Sequence, residues 1–263
     1  MATLVFFHAH PDDEAIATGG TMAMYADAGH RVVLVLATGG EHGEIPDDLA
    51  LGETLADRRR AEAERSAARI GVARVAWLGY EDSGMEGWDQ NDNDVSFHRA
   101  NVDAAAQKLA HLLTEEDAYL LTVYDWHGNY GHPDHVQVHR VGHRAAEIAG
   151  TPEVYEATMN RDHLATLIEA ARATGMDVEP PGDDANGNAF GMPQLELTTA
   201  IDVRAFIATK RAALGEHRSQ VSDGSFFLQM PDEVFALSFG TEWYIRKGAP
   251  TGIHENRFAG IDL

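Results

Sequence analysis

The sequence predicts an α/β fold, a Rossmann-like, doubly wound, mostly parallel sheet with a smaller C-terminal cap subregion. Three observations point there. Short apolar runs rich in β-branched and aromatic residues alternate with helical patterns through about residue 158. Turn signals bound each run. None of the runs, of which Val32–Ala37 is a long example, approaches the length of a membrane span. Such alternation means βαβ units with right-handed crossovers.

In order, Thr3–Phe7, Arg31–Thr38, Arg74–Leu78, Ala118–Tyr124 and Glu153–Ala157 read as buried strands. Helices are expected at about 12–30, 54–70, 98–114 and 133–149. In the third, Val102, Ala105, Ala106, Leu109, Leu112 and Leu113 recur at helical spacing and form one apolar face. Val138, Val141, Ala145 and Ile148 do the same in the fourth. Gly29 and Gly71 stand where a helix should stop before the next strand. Beyond residue 158 a helix at 161–174 leads into the turn-rich stretch Pro180–Asn188. A strand near 195–201, a helix near 202–216 and a strand near 241–247 close the chain. The reading is a Rossmann-like catalytic core over 1–158, completed by a C-terminal subregion over 159–263, in one structural domain.

Composition narrows the function. The 263 residues carry 42 Asp+Glu against 20 Lys+Arg, a net charge of −22. Lys108, Lys210 and Lys247 are the three lysines. A field of that sign repels phosphodiester backbones and anionic lipid, so nucleic acid and membrane surfaces are poor partners. The absence of Cys removes disulfides, thiolate ligands and thiol nucleophiles. No signal peptide is visible before the first strand, and a cytoplasmic protein with a small-molecule partner is expected. Self-association into a homo-oligomer stays open.

Two segments carry the chemistry. The first strand runs into His8-Ala9-His10-Pro11-Asp12-Asp13-Glu14, and the fourth helix opens with His132-Pro133-Asp134-His135. Each has His, then Pro where a helix begins, then Asp, with a second metal-capable residue three positions after the first His. Pro at the first helical position fixes φ and lacks an N–H that would be unpaired there in any case. In a 3-2-1-4-5 strand order, strands one and four are neighbours whose connections leave in opposite directions. Ligands sit outside the carboxyl ends of the strands at that switch point. His10, Asp13 and His135 can then supply three ligands with one position open, the arrangement of a catalytic zinc. Iron(II) also suits such donors. His135, His139 and His143 form a rival stripe, but three histidines along one straight helix span about 12 Å and cannot share an ion. His-Glu-x-x-His, Gly-x-Ser-x-Gly and P-loop patterns are absent. Thr38-Gly39-Gly40-Glu41 follows a strand, but no helix opens directly after it, so it is not a dinucleotide loop.

With these residues in view, the sequence resembles the PIG-L/LmbE-like zinc-dependent N-acetylglucosaminyl de-N-acetylases. That family includes GlcNAc-phosphatidylinositol deacetylase, the mycothiol- and bacillithiol-pathway deacetylases and mycothiol-conjugate amidase. Besides the two His-Pro-Asp blocks, the matching pieces are Thr38-Gly39-Gly40-Glu41, Arg59-x-x-Glu62, Asp82-Ser83-Gly84-Met85, Tyr130-Gly131 before His132, and Lys210 followed by His217-Arg218-Ser219-Gln220. The resemblance implies an amidohydrolase that removes the N-acetyl group from an N-acetylglucosamine-type amino sugar. His10, Asp13 and His135 would bind zinc, and Asp12 would act as general base on metal-bound water. His132 would stabilise the oxyanion and protonate the departing amine, with Asp134 setting its charge, and Tyr130 would assist at the oxyanion. Arg59 would grip a phosphate or inositol group, and Glu44 and Asp82 would line the cleft against sugar hydroxyls. A mycothiol-conjugate-type amidase, or a non-catalytic sugar- or metal-binding module, would use the same ligands. Mycothiol-type enzymes carry Ser after His-Pro-Asp-Asp-Glu, where this chain has Ala15.

Overall fold

The computed structural model describes residues 1–263. In chain order the elements are β1 (Thr3–His8), α1 (Asp13–Ala17), α2 (Gly19–Asp27), β2 (Arg31–Thr38), α3 (Leu55–Ile70), β3 (Arg74–Tyr80), α4 (Val102–Glu115), β4 (Ala118–Tyr124) and α5 (Gly128–Gly131). There follow α6 (Pro133–Ala149), β5 (Glu153–Thr158), α7 (Arg161–Ala173), β6 (Thr199–Asp202), α8 (Ile207–Leu214), α9 (Phe226–Gln229), α10 (Asp232–Phe239) and β7 (Thr241–Arg246). One seven-stranded sheet runs β3-β2-β1-β4-β5-β7-β6. The pairs among β1–β5 are parallel, while β7 runs antiparallel to both β5 and β6. β1 and β4 are therefore adjacent at the switch point, and the fold is the doubly wound α/β sheet that the sequence predicts.

Strand alternation divides the core. From β1 and β2, Val5, Phe7, Val33 and Val35 face α4 and α6, meeting Ala105, Leu109, Leu113, Val138 and Val141. Leu4, Phe6 and Val32 face the other way, with Met22 and Tyr25 of α2 and Ala213 and Leu214 of α8. Leu34 and Leu36 pack on Ala63 and Ala67 of α3. The charged helix α3 is held at its start by a capping box between Thr54 and Asp57, and Gly71 ends it in the left-handed region at φ 91°.

The expected single helix over 12–30 is broken. Thr18 sits between α1 and α2 at φ −136°, ψ 4°. Its hydroxyl oxygen lies 2.8 Å from His8 Nε2 and donates to the Glu14 carbonyl. That tertiary bond turns the chain and leaves α1 as a short pedestal under the site. The C-terminal helix starts at Ile207 rather than 202, and α9 and α10 add turns that the sequence reading did not assign. No helix is long and apolar enough to cross a membrane.

Candidate active site

The first wall of the site is the bend from β1 into α1. His8 is buried, and burial pushes its imidazole down to about 4, so the ring is neutral. Its Nδ1 accepts from the Tyr124 hydroxyl at 2.8 Å and its Nε2 donates to Thr18. Two residues on, the His10 N–H donates to Asp13 Oδ2 at 2.9 Å, and His10 Nδ1 lies 3.3 Å from the same oxygen. Between them Asp12 adopts φ 105°, a region L residues avoid and which costs of order 1–3 kcal/mol. A buried Glu14 holds this turn, accepting from the Asp12 N–H at 2.9 Å through Oε2. Its Oε1 takes the Ser66 hydroxyl and His217 Nε2, each at 2.7 Å. Strain in the Asp12 backbone is thus locked from α3 and from the C-terminal subregion.

The second wall is the start of α6. Pro133 occupies the first turn and His132 caps the helix, its Nδ1 accepting from the Asp134 N–H at 3.1 Å. One turn on, His135 stacks its ring on Tyr124 with centroids 4.4 Å apart. Gly128, at φ 68°, lets the preceding turn lie against His135, since a Cβ there would sit 2.4 Å from His135 Cβ. The walls converge. Nitrogens of His10, His132 and His135 lie within 4.8 Å of one another, and the same limit joins His10, Asp82, His132 and Asp134. Asp13 Oδ2 is 3.4 Å from His135 Nε2, and the Tyr130 hydroxyl is 3.5 Å from that nitrogen.

The donor chemistry fits a divalent cation. Two ligands at the tetrahedral angle around an ion with bonds of about 2.1 Å stand roughly 3.4 Å apart. Asp13 Oδ2 meets that spacing to both His10 Nδ1 and His135 Nε2. His10 Nε2 is 3.2 Å from Asp134 Oδ2, which leaves Nδ1 as the face turned to Asp13. A carboxylate behind a ligating imidazole is the usual means of fixing its tautomer. The cluster of His10, His132 and His135 nitrogens includes His132, however, and three imidazoles form a second candidate ligand set.

Electrostatics distinguish the carboxylates. Burial opposes ionisation of Asp13 and Asp82, but the histidines around them hold both well below the usual carboxylate range. For His10, burial is outweighed by Asp82 and by hydrogen bonds to Asp13 and Asp134, and its imidazole titrates well above the usual range. Asp12 behaves differently. Burial raises it to about 6, with Arg59 pulling it down and Asp13 pushing it up. A carboxyl tuned into that range has the affinity of a general base.

Several sequence expectations change in detail. Asp134 does not set the charge of His132: its carboxylate is held by the Ser83 hydroxyl and N–H and by His10, while only its backbone meets His132. Burial and the neighbouring His10 and His135 push His132 down to about 2, so it is neutral rather than cationic. With Nδ1 accepting, its proton sits on Nε2. Asp82, expected on the substrate wall, lies 3.4 Å from His10 Nε2 in the cluster itself. Glu44 is exposed on the rim, its backbone clasped by Gln220 at 3.0 and 2.9 Å. Arg59 is buried. It donates to the carbonyls of Gly40 (2.8 Å) and Pro11 (2.6 Å) and sits 3.2 Å from Asp12 Oδ2. Glu14, Ser83 and Tyr124 carry supporting contacts that were not assigned. Glu14 and Ser83 stood inside the quoted motifs, whereas nothing in the Tyr124 strand pattern marked its hydroxyl.

Arg59 is therefore placed to act on Asp12. Replacing Arg59 with Ala removes the cation that lowers the Asp12 carboxyl, so the acid limb of kcat/KM against pH is expected to move to higher pH. The kcat should fall with it. A profile that keeps its limb, with only KM raised, would return Arg59 to substrate contact alone.

A doubly wound fold with a histidine–carboxylate cluster at its switch point is the class of site that can hold a divalent metal, and comparison with known proteins gives the family. A profile of the PIG-L family, described as GlcNAc-PI de-N-acetylase, matches residues 5–146. The chain belongs to this family. It is 39% identical over 282 residues, covering 100% of this chain and 96% of the relative, to a 1D-myo-inositol 2-acetamido-2-deoxy-alpha-D-glucopyranoside deacetylase of Acidothermus cellulolyticus. A protein of the same description from Thermomonospora curvata is 38% identical, covering 98% of this chain and 95% of its own. Among solved structures, an N,N'-diacetylchitobiose deacetylase from Pyrococcus horikoshii superposes with a TM-score of 0.57 at 22% identity, over 93% of this chain and 83% of that one. A 4-carboxy-2-hydroxymuconate hydratase from Pseudomonas putida superposes with a TM-score of 0.58 at 16% identity, over 100% of both chains. The fold alone therefore does not select the reaction.

Proposed function

We propose that the protein hydrolyses the acetamide of a 2-acetamido-2-deoxyglucoside, releasing acetate and the free amino sugar, with a 1D-myo-inositol glycoside as substrate. The observation that carries this reading is likeness along the whole chain to inositol-glucosaminide deacetylases, together with a tuned Asp12 beside the metal-type cluster. We assign His10 through Nδ1, Asp13 and His135 as ligands of zinc, with His132 left off the ion so that one position stays open. Zinc, when bound, supplies a Lewis acid for the acetyl carbonyl oxygen.

The chain's own groups supply the rest. Asp12 takes a proton from the attacking water. As charge grows on the carbonyl oxygen, His132 donates its Nε2–H to it, and the neutral ring needs no prior protonation. Tyr130, kept protonated by burial and by the Asp13 charge, offers a second donor on the same side. When the C–N bond breaks, Asp12 returns its proton to the departing nitrogen. Glu44 on the rim is assigned to a sugar hydroxyl, with Asp82 deeper in the cleft.

The test is release of primary amine from three acetamides: the inositol glycoside, N,N'-diacetylchitobiose and a mycothiol S-conjugate. The highest kcat/KM is expected with the inositol glycoside. Preference for the conjugate would move the assignment to an amidase, and no amine from any of them would overturn it.

A further inference from the structure

On the outer side of α6, one and two turns beyond His135, His139 and His143 present their rings together, with centroids 4.5 Å apart. Glu156 of β5 reaches this pair. His143 Nε2 lies 2.8 Å from Glu156 Oε1, and the His139 ring comes within 3.8 Å of the same oxygen. One nitrogen from each ring and a Glu156 oxygen fall within 4.8 Å of one another. We infer that His139, His143 and Glu156 form a second metal site, distinct from the cluster at the switch point, that takes a borderline divalent cation of the Zn²⁺, Co²⁺ and Ni²⁺ class.

Four features support it. Histidines at i and i+4 share one helix face, a spacing that lets two imidazoles bind one ion. His139 Nδ1 donates to the Tyr124 carbonyl at 3.0 Å, which fixes its tautomer and leaves Nε2 unprotonated, as a ligating histidine requires. Burial and the adjacent His143 lower His139, so the neutral form predominates at neutral pH. The three side chains are 22%, 17% and 15% exposed, open enough for an ion to enter and for water to complete its shell. On binding, the ion takes the place of the proton on His143 Nε2 that faces Glu156, and the neutral ring then carries its proton on Nδ1.

The site has a structural consequence. It would tie the middle of α6 to β5, the strand that leads into Thr158, whose hydroxyl donates to Asp125 at 2.6 Å. Asp125 in turn accepts the N–H groups of His127 and Asn129 in the turn before His132. Occupancy should therefore stiffen the segment that positions the α6 wall, without touching the substrate.

The experiment is equilibrium dialysis of the full chain against Zn²⁺, followed by metal analysis, on wild type, His143→Ala and Glu156→Gln. Wild type should hold two ions per chain, and each variant one. Deacetylase activity of the variants at one equivalent should match wild type, which reports that they fold. Zn²⁺ beyond the first equivalent should raise the Tm of wild type and leave both variants unmoved. Wild type that holds a single ion, or variants that still hold two, would overturn the second site. Loss of deacetylase activity in every protein, with two ions bound to wild type, would instead count against the proposed function and leave this site standing.

Discussion

Replacing Asp12 with Asn should cost about 10²–10⁴ in kcat, the usual contribution of a positioned general base. Bound metal should remain stoichiometric in the variant. The two adjacent carboxylates are separated by environment. Asp13 is pulled far into its ionised range by His10 and His135, as a ligand should be, whereas Asp12 is lifted to about 6. The sign of the pH dependence follows. A base works only when deprotonated, so activity should be full above that value and fall with a slope of one as the pH drops through it. A bound cation pulls the carboxyl down, which sets the acid limb of the loaded enzyme at or below about 6. Asn keeps the size of the side chain and the hydrogen bond offered by Arg59, but cannot take a proton. The pH–rate profile of its residual activity should therefore lose the limb. If Asp12→Asn empties the metal instead, the roles of Asp12 and Asp13 are exchanged.

How the site came to be legible is itself physical. The strand–helix alternation followed from short apolar runs and helical faces, which are local, and a 3-2-1-4-5 strand order, once taken for such a fold, puts the two His-Pro-Asp segments side by side at its switch point. Pro11 and Pro133 marked where the chain turns from strand to helix, but only Pro133 opens its helix as expected: α1 begins at Asp13, because the Asp12 backbone, held by Glu14 in the left-handed region, keeps Pro11 outside the helix. What the sequence could not display were bonds made across the fold. The break at Thr18 depends on His8, ten residues away and on another element. Ser83 claims the Asp134 carboxylate across 51 residues, which is why neighbouring positions 132 and 134 do not form the expected pair. Glu14 answers to His217, 203 residues on. Arg59, expected to grip a substrate group, stands in the run Arg58-Arg59-Arg60, and its place on α3 turns it inward to Gly40 and Pro11. Phe235 is buried, yet α10 was unassigned, because its acidic start and apolar end carry no clean periodicity.

The charge of His132 carries the sharpest remaining prediction. A cationic His132 would generate the basic limb of a bell-shaped profile and would have a proton to give away. The structure argues for the neutral ring on two independent grounds. Burial beside His10 and His135 drives its titration down to about 2. Its Nδ1 also accepts the Asp134 N–H, a bond that protonation would abolish, leaving a helix-start donor unpaired. Such a histidine helps by donating Nε2–H to the developing oxyanion, and removal of one oxyanion donor usually costs about 10²–10³ in kcat. His132→Ala should show that loss, retain its metal, and leave the pH–rate profile unchanged in shape. His135→Ala is the contrasting variant and should emerge with substoichiometric metal. A basic limb that vanishes with His132 would restore the cationic acid, and a His132→Ala protein without metal would make the three-imidazole set the true ligands.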